Sequence, residues 1–455
     1  MAVPATVMTD MFDKTCRTLV VGLGETGLSV ARYLSGQGVP VAVVDSRSEP
    51  PALERSRADL PADVAVFLGD FSAEAFERAE QIIISPGVSL QEPAIAAAMA
   101  RGVPVTGDIE LFAQAATAPV IAVTGSNGKS TVVTLLGAMA RRAGLDVRVG
   151  GNIGTPALDL ITEQEPDLYV LELSSFQLET LSSLRPQAAA VLNVSADHMD
   201  RYPDLQAYAA TKQSIFRQAA VQVFNLDDAL VSSLVDRTRP HTGFTCSVPD
   251  NGNYGLVVID AQTWLARGSE PIMPASAISM AGQHNLANAL AALAMGEAAG
   301  IPLASMVETL TEFRGLPHRM QYVGCGNNVR WFNDSKGTNV GAALAAIEGV
   351  DGQLVLIAGG DGKGADFTPL ATALQGKGRA AVLIGKDAGV LETLLQGVVP
   401  LRRATDMSEA VRFAAELAQP GDSVLLSPAC ASTDMFRNFE QRGDVYMQAV
   451  QEYLS

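Results

Sequence analysis

The sequence predicts an α/β protein with three consecutive domains. Its 455 residues exceed what one hydrophobic core usually holds. Short apolar runs alternate with helical patterns along most of the chain, which is typical of parallel sheets covered by helices. Glycine-rich or polar segments follow the strands in three separate regions. We place the domains at residues 1–107, 108–315 and 316–455.

The first domain is predicted to hold a doubly wound, Rossmann-like sheet with strands at 18–22, 39–45, 64–68 and 81–85. Three glycines stand between its first strand and the following helix: Gly22, Gly24 and Gly27. With Asp45 at the end of the second strand, they are close to the fingerprint that places a dinucleotide pyrophosphate at a helix N-terminus. The alternative is a tight strand-to-helix turn without a ligand. Residues 85–87 (SPG) form a second wall of the pocket or merely a turn.

A phosphate-binding loop is predicted at residues 124–131 (TGSNGKST), between an apolar strand at 119–123 and a helix. Gly125 and Gly128 allow backbone N–H groups to approach phosphate oxygens, and Lys129 can neutralise phosphate charge. The hydroxyls of the next two residues suit Mg²⁺. The general motif G-x-x-x-x-G-K-[ST] is not met, because Val123 occupies its first glycine position. The alternative is a Gly-Lys turn that opens an ordinary helix.

Two further side chains follow strands predicted in the same domain, at 168–172 and 189–194. Glu172 ends the first of these strands and His198 follows the second. Ligands bind at the carboxyl edge of such a sheet, where a carboxylate commonly completes an Mg²⁺ shell. Alone, His198 could equally be a hydrogen-bonded loop histidine.

Lys212 lies on the apolar face of a helix predicted from 205 to 216. Such a lysine usually extends its amine to the surface. A desolvated lysine instead loses pKa, reacts as a neutral amine and can take up CO₂ to form a carbamate, which is a carboxylate-like Mg²⁺ ligand.

Polar pairs and loops complete the candidate site. Asn285 and Asn288 share a helical face and could contact an adenine edge, although an N-cap and a surface amide explain them too. In the third domain, residues 333–339, 359–363 and 425–443 follow strands and carry lysines and hydroxyls. They suggest a pocket for a small carboxylate-bearing substrate, or three ordinary loops.

Composition excludes several classes of function. The net charge of −17 disfavours nucleic-acid binding and docking on anionic lipid. The four cysteines lack CxxC or metal-ligand spacing, the N-terminus does not resemble a signal peptide, and no apolar run is long enough for a membrane span. We therefore expect a reduced cytoplasmic protein without membrane insertion. The stretch 240–275 carries no motif that we can interpret.

Together the motifs resemble the Mur ligase family over nearly the whole chain, from about Arg17 onward. The resemblance rests on GLGETGLS, TGSNGKST, ELSSFQLE, DHMDRY, HRMQ, NDSKGTN, GGDGKGADF and LSPACASTDMFRNFEQRG. The shortened glycine spacing of the phosphate loop is similar to the ATP loop of that family, whose central domain is P-loop ATPase-like. The third-domain segments look like those of the member that adds D-glutamate.

The resemblance implies an ATP-dependent amide-bond ligase that adds D-glutamate to UDP-N-acetylmuramoyl-L-alanine in peptidoglycan precursor synthesis, a part of cell wall biogenesis that supports cell shape and division. ATP would phosphorylate the substrate carboxylate to an acyl phosphate, and the amine would then attack through a tetrahedral intermediate. Two Mg²⁺ sites, a carbamylated Lys212, a Rossmann-like third domain and a monomer are also implied.

The resemblance also implies roles for individual residues. The UDP-sugar, rather than NAD, would be bound by Glu25, Thr26, Asp45, Ser46, Arg47, Ser85, Pro86, Gly87, Asn152, Ser174, Gln177 and His198. ATP would be bound by Gly125, Ser126, Asn127, Gly128, Lys129, Ser130, Thr131, Asn285, Asn288, Arg319 and Asp334. D-glutamate would be bound by Lys336, Thr338, Lys363, Ser432 and Phe439. The catalytic residues would be Lys129, Glu172, His198 and Lys212, and the Mg²⁺ ligands Ser130, Glu172, His198 and carbamylated Lys212.

Two other functions compete with this interpretation. An NAD(P)-dependent dehydrogenase would use the GLGETG segment and Asp45, but it leaves the phosphate loop without a role. A nucleotide-gated binding or regulatory protein would use both loops, but it does not explain why Glu172, His198 and Lys212 should converge.

Overall fold

The computed structural model describes residues 17–455, apart from residues 63, 72 and 281. The first 16 residues, in which we expected no signal peptide and which include Cys16, lie outside the described residues. Among the helices that the model describes, none has the length and apolar character needed to cross a membrane.

The first sheet has five parallel strands in the order β3-β2-β1-β4-β5. They are β1 (Thr18–Val21), β2 (Val41–Asp45), β3 (Ala65–Leu68), β4 (Gln81–Ile84) and β5 (Val105–Gly107). The helices that cover it are α1 (Glu25–Gly36), α2 (Leu53–Asp59), α3 (Ala73–Arg78) and α4 (Pro93–Ala100). The central strands β1 and β2 are fully buried because helices pack on both faces of the sheet. Their sequences are therefore nearly continuous runs of apolar residues.

The second sheet has nine strands in the order β14-β13-β12-β11-β10-β9-β6-β8-β7. They are β6 (Val120–Thr124), β7 (Val147–Gly151), β8 (Leu168–Glu172), β9 (Ala188–Val191), β10 (Val221–Asn225), β11 (His241–Phe244), β12 (Tyr254–Ile259), β13 (Gln262–Arg267) and β14 (Glu270–Pro274). The strands from β6 to β11 pair in parallel, whereas β12, β13 and β14 form an antiparallel meander. The stretch 240–275, which we could not interpret, therefore forms one edge of this sheet.

The helices of the central region lie between and around these strands. They are α5 (Asp108–Ala115), α6 (Lys129–Arg142), α7 (Ser175–Leu178), α8 (Leu205–Gln213), α9 (Ala229–Ser233), α10 (Gln283–Ala298) and α11 (Leu303–Glu312). Two elements predicted in this region extend beyond their observed C-terminal ends. The strand predicted to reach residue 194 ends at Val191, and the helix predicted to reach residue 216 ends at Gln213 before a 3₁₀ turn.

The third sheet has six strands in the order β15-β16-β20-β17-β18-β19. They are β15 (Gln321–Gly326), β16 (Val329–Asn333), β17 (Leu354–Gly359), β18 (Gly378–Ile384), β19 (Leu401–Arg403) and β20 (Ser423–Leu426). Its helices are α12 (Val340–Gly349), α13 (Thr368–Leu374), α14 (Ala388–Leu395), α15 (Met407–Leu417) and α16 (Phe439–Leu454). Only β15 pairs antiparallel. The predicted α/β class with three sheets is confirmed, while the domain boundaries at 107 and 315 stay a prediction.

Candidate active site

The phosphate loop joins β6 to α6, as its sequence predicted. Gly128 caps α6 in the left-handed conformation, with φ of +85°. A Cβ atom at this position would lie 2.4 Å from the Asn288 side-chain oxygen. Because no described side chain caps the helix, its first N–H groups stay available to an anion.

Two lysines converge on one carbonyl oxygen of this loop. Lys129 Nζ donates to the carbonyls of Gly125 (2.9 Å) and Ser126 (3.0 Å), and Lys212 Nζ donates to the Gly125 carbonyl at 3.0 Å. Lys212 is 1% exposed and lies 4.4 Å from the centre of the Tyr208 ring. The surface explanation for Lys212 is therefore wrong. Burial, followed by the charge of Lys129, lowers the pKa of Lys212 well below its ordinary value.

Glu172 lies at the end of β8 with one carboxylate oxygen engaged. Asn152 Nδ2 donates to Glu172 Oε1 at 2.7 Å, whereas the buried Oε2 has no hydrogen-bond partner among the described residues. The carboxylate acts electrostatically on Lys129 and Arg319. Arg319 Nη2 in turn donates to Ser130 Oγ at 2.9 Å. An unpartnered buried carboxylate oxygen in the same site as a hydroxyl fits Mg²⁺, which prefers oxygen ligands.

The four predicted metal ligands are of mixed type. Among the residues that the structure describes, no group of three or more His, Cys, Asp and Glu side chains could hold a metal ion. Only Glu172 and His198 of the predicted set belong to those types. Ser130 and Lys212 would have to supply the remaining ligands.

His198 follows β9 and is held in a left-handed conformation, with φ of +57°. Its ring meets that of Phe176 edge-on at 4.7 Å, and its Nε2 lies 3.8 Å from Asp197 Oδ2. Burial lowers its pKa, while the charge of Asp197 opposes this effect. His198 is therefore a constrained residue that favours the neutral imidazole.

A cavity of about 330 Å³ lies between the phosphate loop, α10 and the third domain. Seven of the predicted ATP-binding residues line it: Asn127, Gly128, Thr131, Asn285, Asn288, Arg319 and Asp334. The other four predicted ATP residues do not: Gly125, Ser126, Lys129 and Ser130. Asn288 is 8% exposed and donates to Asn285 Oδ1 at 3.2 Å, so the surface-amide explanation for Asn288 is wrong.

Part of the wall of this cavity was not predicted from the sequence. The missed lining residues include Asn193, Asn225, Asp228, Phe244 and His284. Asn193 follows β9, Asn225 ends β10 and Asp228 follows β10, all at the sheet edge where we expected a ligand. Their position at strand ends was the available signal, but no local sequence pattern shows that β10 pairs with β9.

A second cavity, of about 600 Å³, lies between the first sheet and the central domain. Ten of the twelve residues predicted for the UDP-sugar line it: Glu25, Thr26, Asp45, Ser46, Arg47, Ser85, Pro86, Gly87, Asn152 and Gln177. Ser174 and His198 do not, although Ser174 hydrogen-bonds to Gln177. Phe71, Gly151 and Pro156 also line the cavity and were not predicted.

Asp45 has no lone pair left for a ribose. Its Oδ2 accepts from the Leu23 N–H and from Arg47 Nη2, both at 2.7 Å, and its Oδ1 accepts from Arg47 Nε (2.8 Å) and the Arg47 N–H (2.9 Å). Although burial raises the pKa of Asp45, these bonds bring it below its ordinary value. Four donors fill a carboxylate, so in this arrangement Asp45 accepts no further hydrogen bond from the ribose of a dinucleotide or of UDP. Only its position in the cavity wall agrees with its predicted role.

The predicted D-glutamate residues are only partly assembled. Lys336 Nζ lies 3.7 Å from the centre of the Phe439 ring, and burial lowers the pKa of Lys336 to about 8. Ser432 is buried, whereas Thr338 is half-buried and Lys363 is exposed. Lys363 is nevertheless close enough to lower the pKa of His198.

The third domain contacts the phosphate loop through Asn339, the N-cap of α12. The amides of Asn339 and Asn127 hydrogen-bond to each other in both directions at 3.3 Å, and Asn339 Nδ2 also donates to Asp197 at 3.0 Å. Asn339 Oδ1 accepts from the Ala342 N–H at 2.8 Å. The structure therefore brings the third domain onto the loop that would hold the nucleotide phosphates.

Comparisons with known proteins agree with this architecture. Residues 16–107 match the Mur ligase MurD-like N-terminal domain, residues 123–296 the Mur ligase middle domain, and residues 318–430 the glutamate ligase domain of Mur ligases. UDP-N-acetylmuramoylalanine–D-glutamate ligase of Nitrosococcus oceani is 56% identical to the chain over 440 residues, which cover 96% of this chain and 97% of that protein. The protein of the same name from Marinobacter nauticus is 53% identical, over 96% of this chain and 98% of its own.

A solved structure shares the fold at lower identity. UDP-N-acetylmuramate-alanine ligase of Thermotoga maritima gives a TM-score of 0.61 at 19% identity, covering 96% of this chain and 99% of that chain. Its identity is too low to transfer a substrate. The near full-length identity above 50% to the relatives and the three matched domains show that the chain belongs to the Mur ligase family.

Proposed function

We propose that the chain is an ATP-dependent ligase that adds D-glutamate to UDP-N-acetylmuramoyl-L-alanine, forming an amide bond and releasing ADP and phosphate. The names of the relatives support this choice of sugar nucleotide and amino acid. The reaction belongs to peptidoglycan precursor synthesis.

The observation that carries the proposal is the hydrogen bond from Asn152 to Glu172. Asn152 lines the larger cavity, while Glu172 ends the strand beside the phosphate loop. This 2.7 Å contact thus links the larger cavity to the strand that pairs with β6, directly before the phosphate loop. A substrate carboxylate that extends from the larger cavity would reach the γ-phosphate of ATP at this point.

The side chains around this point suit carboxylate activation. Lys129 would neutralise charge on the transferring phosphoryl group, because a positioned cation stabilises charge that develops there. Phosphorylation makes the carboxylate an acyl phosphate, whose phosphate leaves when an amine attacks through a tetrahedral intermediate. Lys336 and Phe439, with Thr338, Lys363 and Ser432, would hold D-glutamate. Closure of the third domain would exclude water from the acyl phosphate.

Mg²⁺ and a modified lysine belong to the same proposal. Ser130 and Glu172 would hold one Mg²⁺, and His198 with carbamylated Lys212 would hold the second. When bound, the ions would supply further neutralisation of phosphate charge. The neutral amine of the buried Lys212 would add to the carbon of CO₂ and lose a proton, which yields a carbamate.

We also propose that the protein works in the cytoplasm as a monomer. The described cysteines Cys246, Cys325 and Cys430 are free, which suits a reducing compartment. Size-exclusion chromatography with light scattering should give the mass of one chain, 47.6 kDa, and a mass of two chains would refute the monomer.

Phosphate release from ATP tests the function. Release should require both UDP-N-acetylmuramoyl-L-alanine and D-glutamate, and omission of either should stop it. Lys129→Ala should abolish release, whereas Lys377→Ala, which removes an exposed lysine bonded to the Glu348 carbonyl, should not. Phosphate release that continues when either substrate is omitted would refute the ligase function. A change in nicotinamide absorbance would instead favour the dehydrogenase.

A further inference from the structure

Helix α5 joins the first sheet to the central domain and carries two buried acids. Asp108 is its first residue and is 2% exposed, and Glu110 is 5% exposed. The helix begins directly after β5, and a Cβ atom at its capping Gly107 would lie 2.4 Å from Thr180 Oγ1. The start of α5 is therefore packed tightly against the segment that contains α7.

Asp108 contacts a residue of the larger cavity. Gln177 Nε2 donates to Asp108 Oδ2 at 3.0 Å in a buried hydrogen bond. Burial dominates at this carboxyl group and raises its pKa to about 6 despite the bond from Gln177. A buried acid that is costly to ionise and faces a cavity residue points to a role in that cavity.

The Gln177 amide is held in one orientation from both sides. Its Oε1 accepts from the Ser174 N–H at 3.0 Å and from Ser174 Oγ at 3.2 Å. A flipped amide would place its oxygen against the oxygen of Asp108 and its nitrogen against the N–H of Ser174. Both contacts would be repulsive, since a carboxylate only accepts and a backbone N–H only donates.

Among the described residues, Gln177 Nε2 donates only to Asp108, so one donor of this amide is left over. An amide nitrogen carries two hydrogens, and Asp108 accepts only one of them. Gln177 forms part of the wall of the 600 Å³ cavity. The second N–H is therefore available to an acceptor oxygen there.

We propose that Asp108 is a positioning residue that fixes the Gln177 amide so that its free N–H binds an acceptor oxygen on the acyl arm of the sugar nucleotide. The inference rests on the proposed function, which supplies a ligand with carbonyl and carboxylate oxygens beyond the UDP group. Asp108 itself does not contact the ligand. It acts on binding of the sugar nucleotide and leaves ATP binding unchanged.

Glu110 provides a matched control on the same helix. Its Oε2 accepts from the N–H groups of Ser182 (2.7 Å) and Ser183 (3.0 Å), at the far end of the segment. Glu110→Leu and Asp108→Leu each remove a buried acid from α5. Only Asp108→Leu removes a partner of Gln177.

Isothermal titration calorimetry with UDP-N-acetylmuramoyl-L-alanine tests the inference. Asp108→Leu should weaken binding about tenfold, the size of one hydrogen bond, and should raise KM for this substrate while KM for ATP stays constant. Glu110→Leu should lower the melting temperature without this selective effect. Asp108→Asn should restore most of the affinity, because its amide oxygen can accept from Gln177. Equal effects of the two leucine variants would overturn the inference.

A second pair of variants decides the question if Asp108→Leu does not fold. Gln177→Leu removes the N–H that is proposed to bind the ligand, and it should weaken binding about tenfold. Asp108→Ala should weaken binding in the wild-type background but not in the Gln177→Leu background, and an equal further loss in both backgrounds would overturn the inference. A wild-type protein that does not bind the sugar nucleotide would refute the proposed function instead.

Discussion

Replacing Gly128 with alanine should weaken ATP binding and lower stability. The left-handed conformation of Gly128, with φ of +85°, costs an alanine on the order of 1 kcal/mol. The new Cβ would lie 2.4 Å from Asn288 Oδ1, so Asn288 must move and lose its bond to Asn285, which is worth about 1 kcal/mol. We expect unfolding to be easier by about 2 kcal/mol and ATP affinity to fall about tenfold, because Asn288 forms part of the cavity wall.

Gly144 offers a control with the same backbone conformation. It follows α6 with φ of +84°, and a Cβ atom there would have nothing within 4 Å. Gly144→Ala should therefore show the conformational cost alone. Calorimetry with a non-hydrolysable ATP analogue and thermal unfolding of both variants measure the two effects. Wild-type ATP affinity in Gly128→Ala, or equal loss in Gly144→Ala, would refute the assignment of this contact to the nucleotide site.

Three other outcomes follow from the structure. Lys212→Ala should lose activity, measured as phosphate release, and regain part of it when formate or acetate is added. Full activity of this variant without an added carboxylate would contradict the carbamate. Gly341→Ala should lower kcat/KM without unfolding the protein, since its Cβ would lie 2.8 Å from Ser195 Oγ where the third domain meets the central one. The control Gly36→Ala, whose Cβ would have nothing within 4 Å, should match the wild type. Equal kinetics in the two variants would contradict a role for the contact. Burial raises the folded pKa of Asp334 from 3.8 to about 6, so its contribution to stability is present below pH 3.8 and is lost as pH rises through about 6. Asp334→Asn should accordingly be more stable than the wild type at pH 8, by on the order of 3 kcal/mol, and equally stable near pH 3.5. Denaturant unfolding at both pH values measures this difference. Parallel pH profiles of the unfolding free energy would refute the prediction.

The segments at strand ends were predictable because one local pattern encodes them. An apolar run, glycines and a helical pattern place Gly128 and Asp45 at the edge of a sheet whatever the rest of the chain does. The inward position of Lys212 was predictable for the same reason, since helical periodicity assigns a face to every residue. These inferences need only neighbours in sequence.

Contacts between distant segments were not predictable in this way. Asn127 and Asn339 are separated by 212 residues, and neither has a local pattern that names the other. Asp108 reads as an ordinary acid in the first turn of a helix, where its charge is favourable. Its contact with Gln177, 69 residues away, depends on how α5 packs against α7. The antiparallel meander was also missed, because its strands are short, partly exposed and interrupted by turns.

The shared carbonyl of Gly125 explains how one site can hold a cation and a neutral amine together. Two ammonium groups that both donate to one oxygen repel each other strongly where water is scarce. Lys212 is 1% exposed, and burial lowers the pKa of both lysines, that of Lys212 to well below its ordinary value. Lys129 keeps the nearby charge of Glu172 as its main compensation. Loss of the proton from Lys212 would relieve the repulsion, and it would leave a cation at the phosphate loop with a neutral amine beside it.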